Sequence, residues 1–172
     1  MNLNAPNQLT QLLIETSDGT FTARYSAQGL AALDFPRCSV ARASKTKPAV
    51  SPAVQTFHQL TTNALVRILA GRPPGQLPPL DLSAGTDFQQ SVWRELRNIP
   101  AGRSRSYGQI AQAIGRPKAV RAVGGACGAN PIPILVPCHR VLAANQKPGG
   151  FSGGLAWKKK LLEREGIELT GW

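Results

Sequence analysis

A cysteine and a histidine stand side by side at Cys138 and His139, within the segment 136–141. The thiolate is the nucleophilic form of cysteine, and with an ordinary pKa of about 8.5 only a small fraction is ionised at neutral pH. A nearby imidazole is a common base for such a thiol. Neighbouring side chains of an extended chain point in opposite directions, so the pair would meet through a bend or a bridging water. A buried, inert cysteine is the alternative.

An apolar run over residues 132–136 lies directly before this pair. Such a run predicts a buried, extended segment, and Pro137 should end it, because proline removes a backbone donor. We therefore expect Cys138 and His139 to be held at the end of a stiff element.

A carboxylate for the histidine is expected on the last helix. Glu165 falls on the same helical face as Leu155, Lys158, Leu161 and Leu162. It comes just before Gly166, at a helix C-terminus, where the helix dipole disfavours negative charge. A carboxylate behind His139 would fix the tautomer of the imidazole and raise its basicity. A solvated glutamate at a frayed helix end is the alternative.

Length and composition limit the class of protein. The chain has 172 residues, which suits one domain or two small ones. Its first residues lack the basic start and apolar stretch of a secretory signal, and no apolar run could span a membrane, so we expect a cytoplasmic protein. Three irregularly spaced cysteines without a Cys-x-x-Cys pair, and only two histidines, predict neither a disulfide scaffold nor a metal site. No cofactor is expected.

The net charge of +11 is unevenly distributed. Residues 1–85 hold 7 Lys and Arg against 4 Asp and Glu, a net +3, whereas residues 86–172 hold 13 against 5, a net +8. A basic half of a protein indicates a polyanionic partner, most often nucleic acid. Charge that serves only solubility is the alternative.

Residues 1–82 are predicted to form an N-terminal domain with a small sheet and one helix. Turns at Asp18-Gly19 and Gln28-Gly29 separate three short strands over 12–16, 20–25 and 30–35. A basic, polar loop over 37–51, a helix over 52–71 and a linker rich in proline and glycine over 72–79 follow. None of these segments carries residues in an arrangement typical of catalysis.

Residues 83–172 are predicted to form a mainly helical C-terminal domain. Capping boxes begin two helices, at Thr86-Asp87-Phe88-Gln89 and at Ser106-Tyr107-Gly108-Gln109. The second of these helices, a turn at Gly115-Arg116-Pro117 and a helix over about 118–127 together predict a helix-turn-helix. An ordinary helical hairpin is the alternative. The expected fold class of the whole chain is α/β, with two domains.

The helix over 118–127 has one side that is almost bare of side chains. At about 100° per residue, the side expected to face the core carries Val120, Val123, Gly124 and Cys127. The other side collects two cations and small residues: Lys118, Ala119, Arg121, Ala122, Gly125 and Ala126. Small residues let a helix backbone approach a groove floor, whereas reading base edges needs longer polar side chains, so we expect DNA binding with little sequence preference. Packing against another helix is the alternative.

Five motifs follow one another over residues 86–166, about half of the chain. They are Arg121-Ala122-Val123-Gly124, Asn130-Pro131, Pro137-Cys138-His139-Arg140-Val141, Ser152-Gly153-Gly154 and Leu161-Leu162-Glu163-Arg164-Glu165-Gly166. In their order and spacing they resemble the O6-alkylguanine-DNA alkyltransferase family, the methylated-DNA–protein-cysteine methyltransferases. The N-terminal part agrees with this family only in its general layout.

The resemblance implies direct, irreversible removal of alkyl groups from O6-alkylguanine in double-stranded DNA, with one turnover per protein molecule. Cys138 would attack the alkyl carbon and keep the group as a thioether. His139 would deprotonate Cys138 through a water, Glu165 would orient His139, and Asn130 would brace the turn at the active site. Tyr107 would help to swing the damaged nucleotide out and would donate a proton to the departing guanine.

The resemblance also implies a DNA-binding helix in the minor groove. Arg121 would fill the gap that the extruded base leaves in the stack, supported by Lys118, Ala119 and Ala122. The protein would act as a monomer in solution, and clustering of several copies on DNA is left open.

A pocket for the extruded base is implied as well. The carbonyls of Cys138 and Val141 and the side chain of Ser152 would hold it, with Phe151 and Lys158 nearby. Relatives often have a tyrosine where this chain has Phe151, so a contact through that hydroxyl is not expected. Two other functions remain open at this point: a helix-turn-helix protein that binds DNA without chemistry, and a thiol hydrolase that uses the same Cys-His-Glu set.

Overall fold

A computed structural model of the chain describes residues 9–36 and 50–169. Cys38 and most of the loop predicted over 37–51 lie outside the described residues. No helix in the described part of the chain is long and apolar enough to cross a membrane.

The N-terminal part is built on a three-stranded antiparallel sheet. Strands β1 (Thr10–Thr16), β2 (Gly19–Tyr25) and β3 (Leu30–Asp34) lie in the order β1-β2-β3. Alternate residues of β2 are buried, as expected of a sheet with one face on a core: Phe21, Ala23 and Tyr25. The three predicted strands and both turns between them are confirmed.

Helix α1 (Pro52–Leu69) covers the buried face of this sheet. The Ser51 hydroxyl accepts a hydrogen bond from the Val54 amide at 3.3 Å, and Pro52 occupies the first helical position, where its missing N–H costs nothing. Gly71, with φ +69°, ends the helix as predicted. The segment after it returns to the sheet, because the Leu30 amide donates to the Pro79 carbonyl at 2.9 Å.

The C-terminal part is mainly helical. Its helices and short strands are α2 (Asp87–Leu96), β4 (Arg105–Ser106), α3 (Tyr107–Ala113), α4 (Val120–Gly128), β5 (Val141–Leu142) and α5 (Leu155–Arg164). Both predicted capping boxes are confirmed, at the starts of α2 and α3. Helices α3 and α4 pack together across a short turn, as the predicted helix-turn-helix requires. The antiparallel sheet together with these helices confirms the α/β class. Helix α4 begins two residues later than predicted.

The packing face of α4 differs from the prediction. Val120, expected in the core, is 40% exposed, whereas Ala126, expected to face outward, is 3% exposed. The reason is Trp93 on α2, whose indole N–H donates to the Ala126 carbonyl at 2.8 Å. A small alanine lets that indole approach, and the core face becomes Val123, Ala126 and Cys127.

The predicted extended segment over 132–136 is wrong. These residues are buried, but they form a turn in which the Val136 amide donates to the Ile132 carbonyl at 2.9 Å. Ile134 has φ +75°, a left-handed conformation that is rare for a β-branched residue. An apolar run predicts burial but not backbone conformation. Here the conformation depends on hydrogen bonds between the Asn130 side chain and the backbone of Ile132 and Val136.

The sheet and the C-terminal helices share an interface. The Leu33 amide donates to the Pro131 carbonyl at 2.9 Å, and Phe35 packs against Trp157 with ring centroids 5.0 Å apart. Asp18, in the turn between β1 and β2, accepts two hydrogen bonds from Arg164 at 2.6 and 3.0 Å. The division of the chain at residues 82 and 83 into two domains stays a prediction.

Candidate active site

Cys138 opens a short 3-10 helix, Cys138–Arg140, that follows a tight turn. The Cys138 amide donates to the Val136 carbonyl at 2.8 Å, and Pro137 between them has φ −80° and ψ 63°, the geometry of an inverse γ-turn. The site is therefore held by a compact set of turns, and Cys138 is only 3% exposed.

Asn130 ties these turns together from a buried position just after α4. Its side-chain oxygen accepts from the Ile132 amide at 3.0 Å, and its nitrogen donates to the Val136 carbonyl at 2.8 Å. The same nitrogen lies 3.1 Å from the Cys138 sulfur. An amide donor at this distance stabilises a thiolate and also fixes the position of the sulfur.

Burial raises the pKa of the Cys138 thiol. The amide of Asn130 and the ammonium of Lys158 act in the opposite direction, but they do not outweigh the loss of water. At neutral pH the resting site therefore holds a thiol, and formation of the nucleophile requires a base.

His139 is completely buried, and its Nε2 lies 3.0 Å from Oε1 of Glu165. Burial lowers the pKa of His139, against the influence of the Glu165 carboxylate, so the imidazole is neutral at pH 7. Because an ionised carboxylate can only accept, Nε2 carries the hydrogen and Nδ1 carries the lone pair. Nδ1 is buried and has no hydrogen-bond partner among the described residues. The imidazole thus presents an unengaged basic nitrogen.

Glu165 is an ionised carboxylate in a nearly buried position, with 6% of its side chain exposed. Burial alone would raise the pKa of Glu165, but hydrogen bonds from His139 and Arg140 outweigh burial and hold it at about 2. Nε and Nη2 of Arg140 lie 2.9 and 2.8 Å from the two carboxylate oxygens, a bidentate pairing. The remaining Nη1 donates to the Ile99 carbonyl at 2.6 Å.

Arg140 was not predicted as a site residue. In the sequence, Arg140 was noted only as part of the motif around Cys138. Its position two residues after the cysteine was the one signal that could have indicated a role at the site. The structure shows that it supplies the positive charge that keeps Glu165 ionised.

Tyr107 is positioned by a second, two-stranded sheet that sequence reasoning missed. Strand β4 pairs in parallel with β5, which matches Arg105 with Val141 and sets the start of α3 beside the end of the cysteine turn. Burial raises the pKa of Tyr107, and Cys127 and Cys138 raise it further, while a hydrogen bond from the Gly150 backbone to the Tyr107 hydroxyl acts in the opposite direction. A side chain at Gly149 would begin 2.7 Å from this hydroxyl, so the close approach requires glycine.

Lys158 is fully buried on α5 and anchors the glycine-rich loop before that helix. Its ammonium donates to the carbonyls of Val141, Pro148 and Gly150 at 2.7, 2.5 and 3.4 Å. Burial lowers the pKa of Lys158 to about 8. Lys158 therefore joins the end of the cysteine turn to the loop that carries Phe151 and Ser152.

Phe151 and Ser152 are neighbours in that loop, but Phe151 is partly buried and Ser152 is exposed. The Phe151 ring meets the imidazole of His139 edge-on, with centroids 6.3 Å apart, and also packs on Phe35 of the N-terminal part. Ser152 is exposed at the edge of a cavity of about 390 Å³ that Asn130 also lines. Cys138 is not among the residues that line this cavity.

Four of the five residues predicted to contact DNA are grouped at the start of α4, and the fifth, Tyr107, is the first residue of α3. Lys118 and Ala119 precede the helix, and Arg121 and Ala122 are exposed in its first turn. Farther along, a side chain placed at Gly125 or Gly128 would meet nothing within 4 Å. The exposed side of α4 therefore has two cations, Lys118 and Arg121, at its start and nearly bare backbone farther along.

Cys127, on the buried side of α4, is the other described cysteine. Burial raises the pKa of Cys127 to about 12, and the nearby Cys138 raises it further. It is consequently a far poorer nucleophile than a cysteine provided with a base. In the described part of the chain, no three His, Cys, Asp or Glu side chains form a group that could hold a metal ion.

Comparison with known proteins identifies the family. The sequence model described as 6-O-methylguanine DNA methyltransferase, DNA binding domain, matches residues 87–167. Over almost its full length the chain resembles the crystal structure of Mycobacterium tuberculosis O6-methylguanine methyltransferase, with 35% identity, a TM-score of 0.72, and coverage of 95% of this chain and 96% of that one. The chain belongs to this family.

Two further members of the family are informative. The methylated-DNA–protein-cysteine methyltransferase of Mycobacterium tuberculosis (strain ATCC 25618 / H37Rv) is 54% identical over 94 residues, which are 53% of this chain and 57% of that protein. The chain thus spans about half the length of the curated relatives it matches. The chain also resembles a crystal structure of Mycobacterium tuberculosis OGT in complex with DNA. The two sequences are 40% identical, the TM-score is 0.72, and the match covers 89% of this chain and 90% of that one.

Proposed function

We propose that this protein repairs O6-alkylguanine in DNA by transferring the alkyl group to Cys138, once per molecule. The observation that carries the proposal is the imidazole of His139, which Glu165 holds through Nε2 while Nδ1 has no hydrogen-bond partner among the described residues. The buried thiol belongs to the preceding residue, Cys138. The relatives named for this activity support the same conclusion.

The chemistry begins with the thiol proton, which passes to Nδ1 of His139 through a bridging water. The Cys138 sulfur then bonds to the alkyl carbon while the bond from that carbon to O6 breaks, and the electron pair moves onto guanine. A proton from the Tyr107 hydroxyl neutralises the departing guanine, and the proton gained by His139 restores the phenol. The thioether product has no leaving group that this site could displace, so each molecule acts once.

Asn130 supports this step by holding the sulfur as its charge develops, because its amide lies 3.1 Å from the sulfur. Lys158 holds the Val141 carbonyl and the loop that bears Phe151 and Ser152, which we infer to form the wall against which the base binds. Lys158 acts on this wall through backbone carbonyls, so we infer an indirect role for it in base binding.

Double-stranded DNA is the proposed partner, with α4 in the minor groove. Arg121 is the only long polar side chain on the exposed side of α4. We infer that the helix backbone lies close to the DNA and that Arg121 enters the base stack. Extrusion of the damaged nucleotide is required because Cys138 is nearly inaccessible and cannot reach a stacked base. We propose that the protein acts as a monomer inside the cell.

The test is the intact mass of the protein after incubation with a duplex containing one O6-methylguanine. We expect one methyl group in place of the thiol hydrogen, no change with an unmodified duplex, and no gain in the Cys138→Ser variant. Unchanged mass with retained DNA binding would instead favour a binding protein without chemistry. Repeated turnover of a small ester without DNA would favour a thiol hydrolase.

A further inference from the structure

A groove of about 890 Å³ lies between the end of α1 and the end of α2, and Ile134, Leu135 and Pro137 of the turn before Cys138 also line it. Five arginines and one carboxylate line it: Arg72, Arg94, Arg97, Arg140, Arg164 and Glu165. We call it the arginine groove. No residue of α3 or α4 lines it, so it is separate from the helix-turn-helix.

Three of these arginines have no counter-charge in the part of the chain that the structure describes. Arg140 and Arg164 are paired with Glu165 and Asp18, but the guanidinium groups of Arg72, Arg94 and Arg97 form no hydrogen bond or ion pair with the described residues. All nine acidic side chains of the chain lie within residues 9–36 and 50–169. Like charges around one groove repel, and a bound anion would remove that repulsion.

The wall between the arginines is apolar. It includes Pro73, Pro74, Leu77, Ile99 and Pro137. Pockets for small molecules commonly enclose about 300–1,000 Å³ and combine apolar walls with a few charged groups, so this groove is far larger than a lone inorganic anion needs. Guanidinium groups bind phosphate oxygens in bidentate geometry and also stack on planar rings.

We propose that the arginine groove is a binding site for a nucleoside phosphate, with the phosphate on Arg94 and Arg97 and the base against the apolar wall. This site does not depend on the proposed alkyl transfer. It borders the active site, because Arg140 and Glu165 both line the groove and Glu165 also binds His139.

The test is calorimetric titration of the full chain with adenosine monophosphate, adenosine and inorganic phosphate. Adenosine monophosphate should bind more tightly than either fragment, because only it engages both the arginines and the wall. The double variant Arg94→Ala/Arg97→Ala should lose about tenfold or more in affinity. Both side chains are exposed and have no partner in residues 9–36 and 50–169, so the fold should be unchanged, as circular dichroism would verify.

The matched control removes two exposed cations from the turn before α4 and from α4 itself, as Arg116→Ala/Arg121→Ala. This variant should bind adenosine monophosphate as the unaltered protein does. No binding at millimolar concentration, equal affinity for inorganic phosphate, or loss of binding in the control rather than in the groove variant would each overturn the proposal. None of these measurements uses alkylated DNA, so they are independent of the proposed repair activity.

Discussion

Replacement of Glu165 by glutamine should change the pH dependence of stability by a calculable amount. The pKa of Glu165 is held at about 2 against an ordinary 4.5, and its side chain is only 6% exposed. Since each pKa unit is about 1.4 kcal/mol, the ionised carboxylate contributes about 3 kcal/mol to the free energy of unfolding. A depressed carboxyl pKa gives stability that is complete above 4.5 and lost as the pH falls through about 2. Glutamine does not titrate and lacks this dependence.

The assay is urea unfolding followed by tryptophan fluorescence at a series of pH values. The stability advantage of the unaltered protein over Glu165→Gln should shrink by about 3 kcal/mol between about pH 6 and pH 2. Glu163→Gln is the matched control, since Glu163 lies on the same helix with 55% of its side chain exposed and should leave the profile unchanged. A constant difference between Glu165→Gln and the unaltered protein would refute an ionised Glu165, and with it the assignment of the His139 tautomer.

Three further predictions concern the surroundings of the sulfur and the DNA face. Asn130→Ala removes both anchors of the turn at 132–136 and should lower the free energy of unfolding by about 2–3 kcal/mol in urea, while slowing methyl transfer in a quenched time course. Arg121→Ala should weaken binding to undamaged duplex and reduce the slope of log affinity against log salt by about one, measured by fluorescence anisotropy; an unchanged slope would exclude Arg121 from the phosphate contacts. Trp93→Phe leaves the buried Ala126 carbonyl without its donor and should cost about 1–3 kcal/mol in thermal or urea unfolding, and a neutral result would mean that the hydrogen bond adds nothing to the packing of α4.

Local sequence signals predicted much of the fold. The capping boxes at Thr86 and Ser106 and the glycine turns between strands depend on neighbours within a few residues, so they can be read from the chain directly. Glu165 could also be predicted to face inward, because its place at a helix C-terminus had no local explanation.

Features decided by distant contacts could not be predicted in the same way. Arg140 pairs with Glu165 and Ile99, which are 25 and 41 residues away, and nothing near Arg140 indicates either partner. The conformation of residues 132–136 depends on the side chain of Asn130, and a buried turn has the same apolar composition as a buried strand. The rotation of α4 depends on Trp93, 33 residues before Ala126.

The location of the transferred group tests the central claim most directly. Cys127 and Cys138 share one tryptic peptide, residues 122–140, so fragment ions from that peptide are needed to separate them. After reaction with a duplex that carries O6-methylguanine, tandem mass spectrometry should place a single methyl group on Cys138 and none on Cys127 or Cys38. Methylation of either of those cysteines, or of no residue at all, would contradict the assignment of Cys138 as the acceptor.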